Sequence, residues 1–348
     1  MIIQGMRVSN GFNLYIDISK ACNADCKFCI APIVGRSDTG DFWGGLDYAL
    51  DLVAKVDGTV QIVGGEPMIS KRLPLLLARI GKRNIRRSVL NTNGSRLDRA
   101  HVQMLSTAGL CHLNISRHHY DEKVNQQIME IRPMVSNAEV ALAVALCRDF
   151  GIVVRLQCNL LPDRVDDISE MFSYLEWAEF IGCKDVSFSQ VFPLGLFDYQ
   201  VPEYPGFTEG AQINLRGLVE AIHSAGISTA IPDATREGHS SDWGRSNWIS
   251  AAEYGTGGKR RFWSYRGMQF SIKTLAGYDF SGMPLPTVYD KTTDWELQED
   301  VLAFAVLHSD GLVSASWDKA ARPLFDPIVK DNLHSRITIH QFPTGTPQ

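Results

Sequence analysis

No segment of the sequence is apolar for long enough to span a bilayer. The start, Met1 to Asn10, also lacks the charged region and following apolar run of a secretion signal. A cytoplasmic protein is therefore expected. Neither sign of charge is in large excess: 34 Lys and Arg stand against 39 Asp and Glu, a net charge of −5. That balance argues against a generally basic nucleic-acid binder, while leaving room for a local patch. Internal repeats and low-complexity tracts are absent. Cysteine is scarce, with seven in 348 residues and none after Cys183. An odd count, no secretion signal and a chain too large to need staples exclude a disulfide framework. What is present is an ordinary 45% of hydrophobic residues, enough for one large α/β domain with an extension, or for two domains.

Apolar periodicity organises the first 195 residues. Phe12 to Ser19 alternates and reads as a strand, as do 59–63, 87–90, 110–115, 152–158 and 185–191. Helical spacing fills 46–56, 73–80, about 98–108 with Asp98 as N-cap, 121–129, 137–150 and 165–180. Six strands alternating with helices predict parallel βαβ units with right-handed crossovers. The polar and glycine motifs fall just after strand ends, the rim on which βα barrels build their sites. The expected fold is thus α/β, a (β/α)6 partial TIM barrel over 1–195. Residues 196–348 are expected as a C-terminal α+β cap over the barrel mouth. That segment contains a loop around 201–206, a helix at 213–225 and an irregular stretch at 232–258. Strands follow near 261–275 and 302–317, with a hairpin-type turn at Ser309-Asp310-Gly311.

Three cysteines fall within eight residues, Cys22, Cys26 and Cys29, spaced C-x3-C-x2-C. Three thiolates can hold three irons of a [4Fe–4S] cluster and leave the fourth iron without a protein ligand. An open position distinguishes a catalytic metal centre from a closed structural one, an argument taken from zinc. Zinc is the competing reading, but it wants a Cys or His pair nearby. Cys111, Cys147, Cys158 and Cys183 are instead scattered singly among apolar residues. They read as core residues, and Cys158 at a strand end is the one candidate hydrogen-atom donor.

The motif Cys22-x3-Cys26-x-Phe28-Cys29, opening the loop after the first strand, resembles the signature of the radical S-adenosylmethionine (radical SAM) superfamily. Gly64-Gly65-Glu66-Pro67 after the next strand resembles that family's G-G-E-P. The resemblance implies that Cys22, Cys26 and Cys29 ligate a [4Fe–4S] cluster, with Phe28 beside it. SAM would chelate the open iron, and Gly64, Gly65, Glu66 and Pro67 would receive its amino group. A reduced cluster would then cleave SAM to a 5′-deoxyadenosyl radical that removes a hydrogen atom from substrate. A flavodoxin- or ferredoxin-type electron donor is implied as well.

Further SAM contacts are expected at strand ends, from Thr92, Asn93, Ser116, Arg155, Asn159 and Gln190. For each, local loop capping is the plain alternative. His118 and His119, followed by Tyr120, can hold a substrate phosphate or donate a proton, or simply satisfy backbone groups at a helix start. Lys259 to Arg266 interleaves basic and aromatic residues. It reads as an RNA or nucleotide grip, or as an amphipathic strand with a charged outer face, the reading favoured here. Lys82 to Arg87 reads as a solvated surface.

Many relatives acting on peptides or molybdenum-cofactor precursors carry auxiliary clusters on C-terminal cysteines. None follows Cys183 here, so a single cluster is expected. The substrate is expected to be a small molecule or nucleotide, with peptide or RNA as alternatives. No leader-binding module is recognisable in the 21 residues before Cys22.

Overall fold

The computed structural model describes residues 1–3, 6–29, 39–56, 58–191, 210–227, 260–273, 301–315 and 323–326. The expectations for 201–206, 232–258 and Lys259 lie outside the described residues. In chain order the elements are β1 (Ile2–Ile3), β2 (Met6–Asp17), α1 (Phe42–Val56), β3 (Thr59–Val63), a 3-10 turn (Pro67–Ile69), α2 (Leu73–Lys82) and β4 (Ser88–Thr92). There follow α3 (Arg99–Thr107), β5 (His112–Ser116), α4 (Glu122–Met129), α5 (Asn137–Asp149), β6 (Val153–Leu160), α6 (Ile168–Phe180) and β7 (Asp185–Gln190). Last come α7 (Leu215–Ser224), β8 (Arg260–Tyr265), β9 (Met268–Lys273), β10 (Val301–Leu307), β11 (Val313–Ser314) and β12 (Pro323–Phe325).

The helices begin where local chemistry satisfies their free N–H groups. Asp98, Asp121 and Asp167 each cap a helix through the side chain, and Ser136 with Glu139 forms a full capping box on α5.

One sheet contains every described strand, in the order β12-β11-β10-β2-β3-β4-β5-β6-β7-β9-β8, with β1 hairpinned onto β2. The run from β10 through β2 to β7 and on to β9 is parallel throughout. The six expected strands are therefore extended by one parallel strand at each edge. Strands expected within a separate cap instead pair with β2 and β7, giving both edges of the core sheet a hydrogen-bonding partner. The turn at Ser309 to Gly311 does join an antiparallel pair, β10 and β11.

Alternation along the strands divides the sheet into two unlike faces. Leu14, Ile16, Val60, Ile62, Leu113, Ile115, Leu156 and Phe188 are buried on the helix side, where Tyr174 of α6 meets Phe188 edge-on. The opposite face is polar. There Gln61 donates to Asn13, Asn114 donates to Asn91 at 2.9 Å, and Arg155 pairs with Asp185 at 2.5 Å. A closed βα barrel fills this space with branched apolar side chains; here the inward positions carry hydrogen-bonding groups.

Candidate active site

The cysteine loop leaves the C-terminal end of β2 and is held from two sides. On the β3 side, Gly65 N–H donates to the Ser19 carbonyl at 2.7 Å and Glu66 N–H to the Ala21 carbonyl at 2.8 Å. On the β4 side, Asn93 Nδ2 donates to Asn23 Oδ1 at 2.8 Å, and Asn23 Nδ2 donates to Ser95 and to the Arg132 carbonyl. Backbone bonds from Asp25 to Met129 and from Arg132 to Asn23 complete the clamp.

Both glycines of the G-G-E-P turn are needed, for reasons the sequence did not supply. Gly64 has φ +127°, a conformation L side chains rarely adopt. A Cβ on Gly65 would lie 2.1 Å from the Ala21 carbonyl oxygen. The close approach that this glycine permits is therefore to the cysteine loop.

Glu66 is enclosed, with 1% of its surface exposed. Its carboxylate accepts from Met68 N–H and Thr92 Oγ1 on one oxygen and from Asn93 N–H on the other. Burial raises its pKa to about 7, against the lowering effect of those three bonds. The carboxylate therefore ties the β3 turn to the end of β4. Thr92 and Asn93, expected as direct cofactor contacts, direct their side chains to Glu66, Gly94, Asn23 and Ser95.

The three thiols share this loop. Burial pushes the Cys22 and Cys26 thiols up, and neighbouring negative groups push further. Those groups are Glu66 and Cys29 for Cys22, and Cys29, Cys22 and Asp25 for Cys26. Three thiolates gathered next to two carboxylates need a positive group among them, which an iron cluster supplies. Among the described residues, no three His, Cys, Asp or Glu side chains converge on a point that could hold a single metal ion. Three thiols on one loop are the donor type that iron–sulfur clusters use.

The remaining expectations divide. Ser116 and Asn159 sit half-buried on the polar face at the ends of β5 and β6. Arg155 does not join them: it is early in β6, 1% exposed, and held by Asp185. Gln190 turns to the helix side and donates to the Ile213 carbonyl. Cys158 also faces the helix side, buried between Leu156 and Leu160, with its Sγ on the His118 carbonyl. Its place behind the sheet removes it as a hydrogen-atom donor. His119 accepts from Asp121 N–H and stacks on Tyr120, the helix-start role.

In the basic and aromatic stretch, Phe262 and Trp263 are buried, Trp263 stacks on Phe270, and Tyr265 stacks on Phe172. Rings packed in this way are not free to stack on bases, and the stretch is an amphipathic edge strand. Sequence reasoning missed Asn23, Ser95, Asp17 and Lys20. Asn23, between two of the cysteines, was the legible signal. Asp17, 2% exposed at the end of β2, pairs with Lys20 at 2.5 Å beside Gly64.

A parallel βα sheet with a three-cysteine loop clamped at the C-terminal end of its strands defines a barrel-type metalloenzyme class. The sequence model of the radical SAM superfamily matches residues 16–175, the span that carries the clamp. Residues 16–175 are thus similar to the radical SAM superfamily, whose members use a [4Fe–4S] cluster and SAM.

Among its relatives, a probable GTP 3',8-cyclase of Sulfolobus acidocaldarius is 25% identical over 189 residues, 53% of this chain and 57% of that protein. A PqqA peptide cyclase of Granulibacter bethesdensis is 24% identical over 231 residues, 64% of this chain and 55% of that protein. The crystal structure of Streptococcus suis SuiB bound to S-adenosylmethionine has the same fold. It matches with a TM-score of 0.57 and 14% identity, covering 93% of this chain and 65% of that one. The chain thus spans little more than half the length of these two curated relatives.

No described helix is long and apolar enough to cross a membrane.

Proposed function

We propose that Cys22, Cys26 and Cys29 hold the cluster, and that the reaction is hydrogen-atom abstraction from a polar small-molecule or nucleotide-like substrate. The observation that carries this reading is the two-sided clamp on the cysteine loop by Gly65, Glu66 and Asn93. When bound, the cluster supplies one electron to SAM, yielding the 5′-deoxyadenosyl radical. The chain's own residues fix the loop, present Ser116 and Asn159 at the rim, and line the sheet's inner face with amide and hydroxyl groups. That face supports a substrate rich in hydrogen-bonding groups, because buried polar groups reject a partner that leaves them unpaired. A single cluster is part of the reading, so reconstituted protein should hold about four irons per chain. A flavodoxin- or ferredoxin-type protein would deliver the electron.

The test is anaerobic reconstitution and reduction with SAM, with 5′-deoxyadenosine measured by chromatography and a Cys26→Ala control. Nucleotides and short peptides are then offered in turn. A rise in product with nucleotides supports the reading. A rise with peptides alone replaces it with the peptide alternative, to which the relation to a PqqA peptide cyclase lends support. Iron near eight per chain would refute the single cluster.

A further inference from the structure

We infer that Arg72 is a positioning residue for the cluster, closing the neck of the cysteine loop. The inference rests on the reading of Cys22, Cys26 and Cys29 as the cluster ligands.

The chain enters this loop from β2 and leaves it into α1. The clamp of Gly65, Glu66 and Asn93 grips Ser19, Ala21 and Asn23 within the loop. The two ends are held separately, and they meet on one guanidinium. Arg72 Nη1 donates to the Ile18 carbonyl at 3.1 Å, one residue past the end of β2. The same nitrogen donates at 2.9 Å to the Ser309 carbonyl, 237 positions further along the chain, in the turn between β10 and β11. Its guanidinium carbon lies 4.4 Å from the centre of the Phe42 ring, at the first residue of α1, within cation–π range.

The exit helix and the β10–β11 turn also interlock through their backbones. A Cβ on Gly45 would strike the Gly311 carbonyl, and a Cβ on Gly311, at φ +96°, would strike the Asp41 carbonyl. The turn is thus fixed against the exit, and Arg72 reaches from both to the entry strand. Ile18, Phe42 and Ser309 are all buried, and a buried carbonyl that loses its donor is costly.

Fixing the ends of a loop removes conformations that its interior would otherwise sample. Three thiols on a loop held in this way need less ordering when they bind metal, the general gain from preorganisation. The contribution of Arg72 therefore belongs to how long the cluster stays bound, beyond how stably the chain folds.

The test compares Arg72→Met, Arg72→Lys and Trp263→Ala with wild type. Each is reconstituted anaerobically, and cluster loss to an iron chelator is timed from the visible absorbance. The temperature is one at which every protein stays folded by circular dichroism. Met keeps an unbranched stem and removes the charge and both hydrogen bonds. Lys keeps a donating ammonium on a side chain one bond shorter. Trp263→Ala destabilises β8 and β9, at the opposite edge of the sheet from β10 and β11.

Arg72→Met is expected to release iron about tenfold faster than wild type, the equivalent of one hydrogen bond. Arg72→Lys is expected to fall between, about threefold faster, with Trp263→Ala within about twofold of wild type. Release from Arg72→Met at the wild-type rate overturns the proposal. So does an equal acceleration in Trp263→Ala, which would trace iron loss to stability alone. Should Arg72→Met fail to fold, Arg72→Lys decides: faster release supports the proposal and an unchanged rate overturns it. If wild-type protein assembles no cluster, the ligand reading fails first and the proposal with it.

Discussion

Replacing Gly65 by Ala tests whether the G-G-E-P turn and the cysteine loop form one unit. The new Cβ would lie 2.1 Å from the Ala21 carbonyl oxygen, 2.6 Å from its carbon and 2.9 Å from the Lys20 carbonyl oxygen. All three are backbone atoms, so no rotamer change relieves the contact. Separating the two segments strains or breaks Gly65 N–H to Ser19 and Glu66 N–H to Ala21. Two such bonds contribute about 1 kcal/mol each, and overpacking of a filled site costs roughly another 2 kcal/mol. The sum is about 4 kcal/mol. In a chain of this size that lowers Tm by roughly 5–10 °C.

The apo chain would be melted by circular dichroism, and iron incorporation measured in parallel. Gly81→Ala is the control. It lies near the C-terminal end of α2, where the nearest atom to a new Cβ is 3.6 Å away. Alanine there is expected to be neutral or slightly stabilising. Gly65→Ala protein that melts and loads iron like wild type would refute the clamp.

Other outcomes follow from the same contacts. Arg155→Leu removes the buried guanidinium that pairs with Asp185 across β6 and β7. It should cost about 2 kcal/mol in urea unfolding, with SAM affinity measured by EPR unchanged in the protein that remains folded. Trp263→Ala removes a fully buried ring stacked on Phe270. It should cost about 3–5 kcal/mol and shift one cooperative transition; a second, independent transition would show that β8 and β9 are not part of the core sheet.

Stability should also depend on pH. His112 and His118 are driven down to about 3 by burial, with nearby Arg155 and Arg117 adding to the effect. Below their ordinary value of about 6.5 the unfolded chain binds two protons that the native chain refuses. Stability therefore falls on acidification by up to about 1.4 kcal/mol per pH unit for each. Glu66, raised to about 7, acts oppositely: its native state keeps a proton that the unfolded state releases above about 4.5. Between pH 6.5 and 4.5 Glu66 cancels one of the two histidine effects, leaving a net loss of roughly 1.4 kcal/mol per unit. Urea midpoints at pH 6.5 and 5 measure it. Glu66→Gln should steepen the loss and His112→Asn should flatten it.

Local pattern was enough for most of the core. The strands and helices of residues 12–190 were legible from alternation, helical spacing and caps such as Asp98, because each depends on neighbours within a few positions. The cysteine motif and the G-G-E-P turn were legible for a related reason: a short loop must carry its own ligands at fixed spacing. The destinations of polar side chains were not. Thr92 and Asn93 were read as facing a cofactor, yet they bond Glu66 and Asn23. The choice between ligand and loop depends on which segments lie across the gap.

The sequence by itself therefore determined the element types, their parallel βα order and the thiol chemistry of the site. Tertiary structure alone decided where long-range partners fall. It placed β9 and β10, distant in sequence, on the two edges of the core sheet. It turned Arg155 to Asp185 and Cys158 away from the polar face. It also brought the Asn159 N–H to the His118 ring, 41 positions away. Periodicity tells each strand which residues share a face, but only packing of the assembled sheet says which face meets water, helix or ligand.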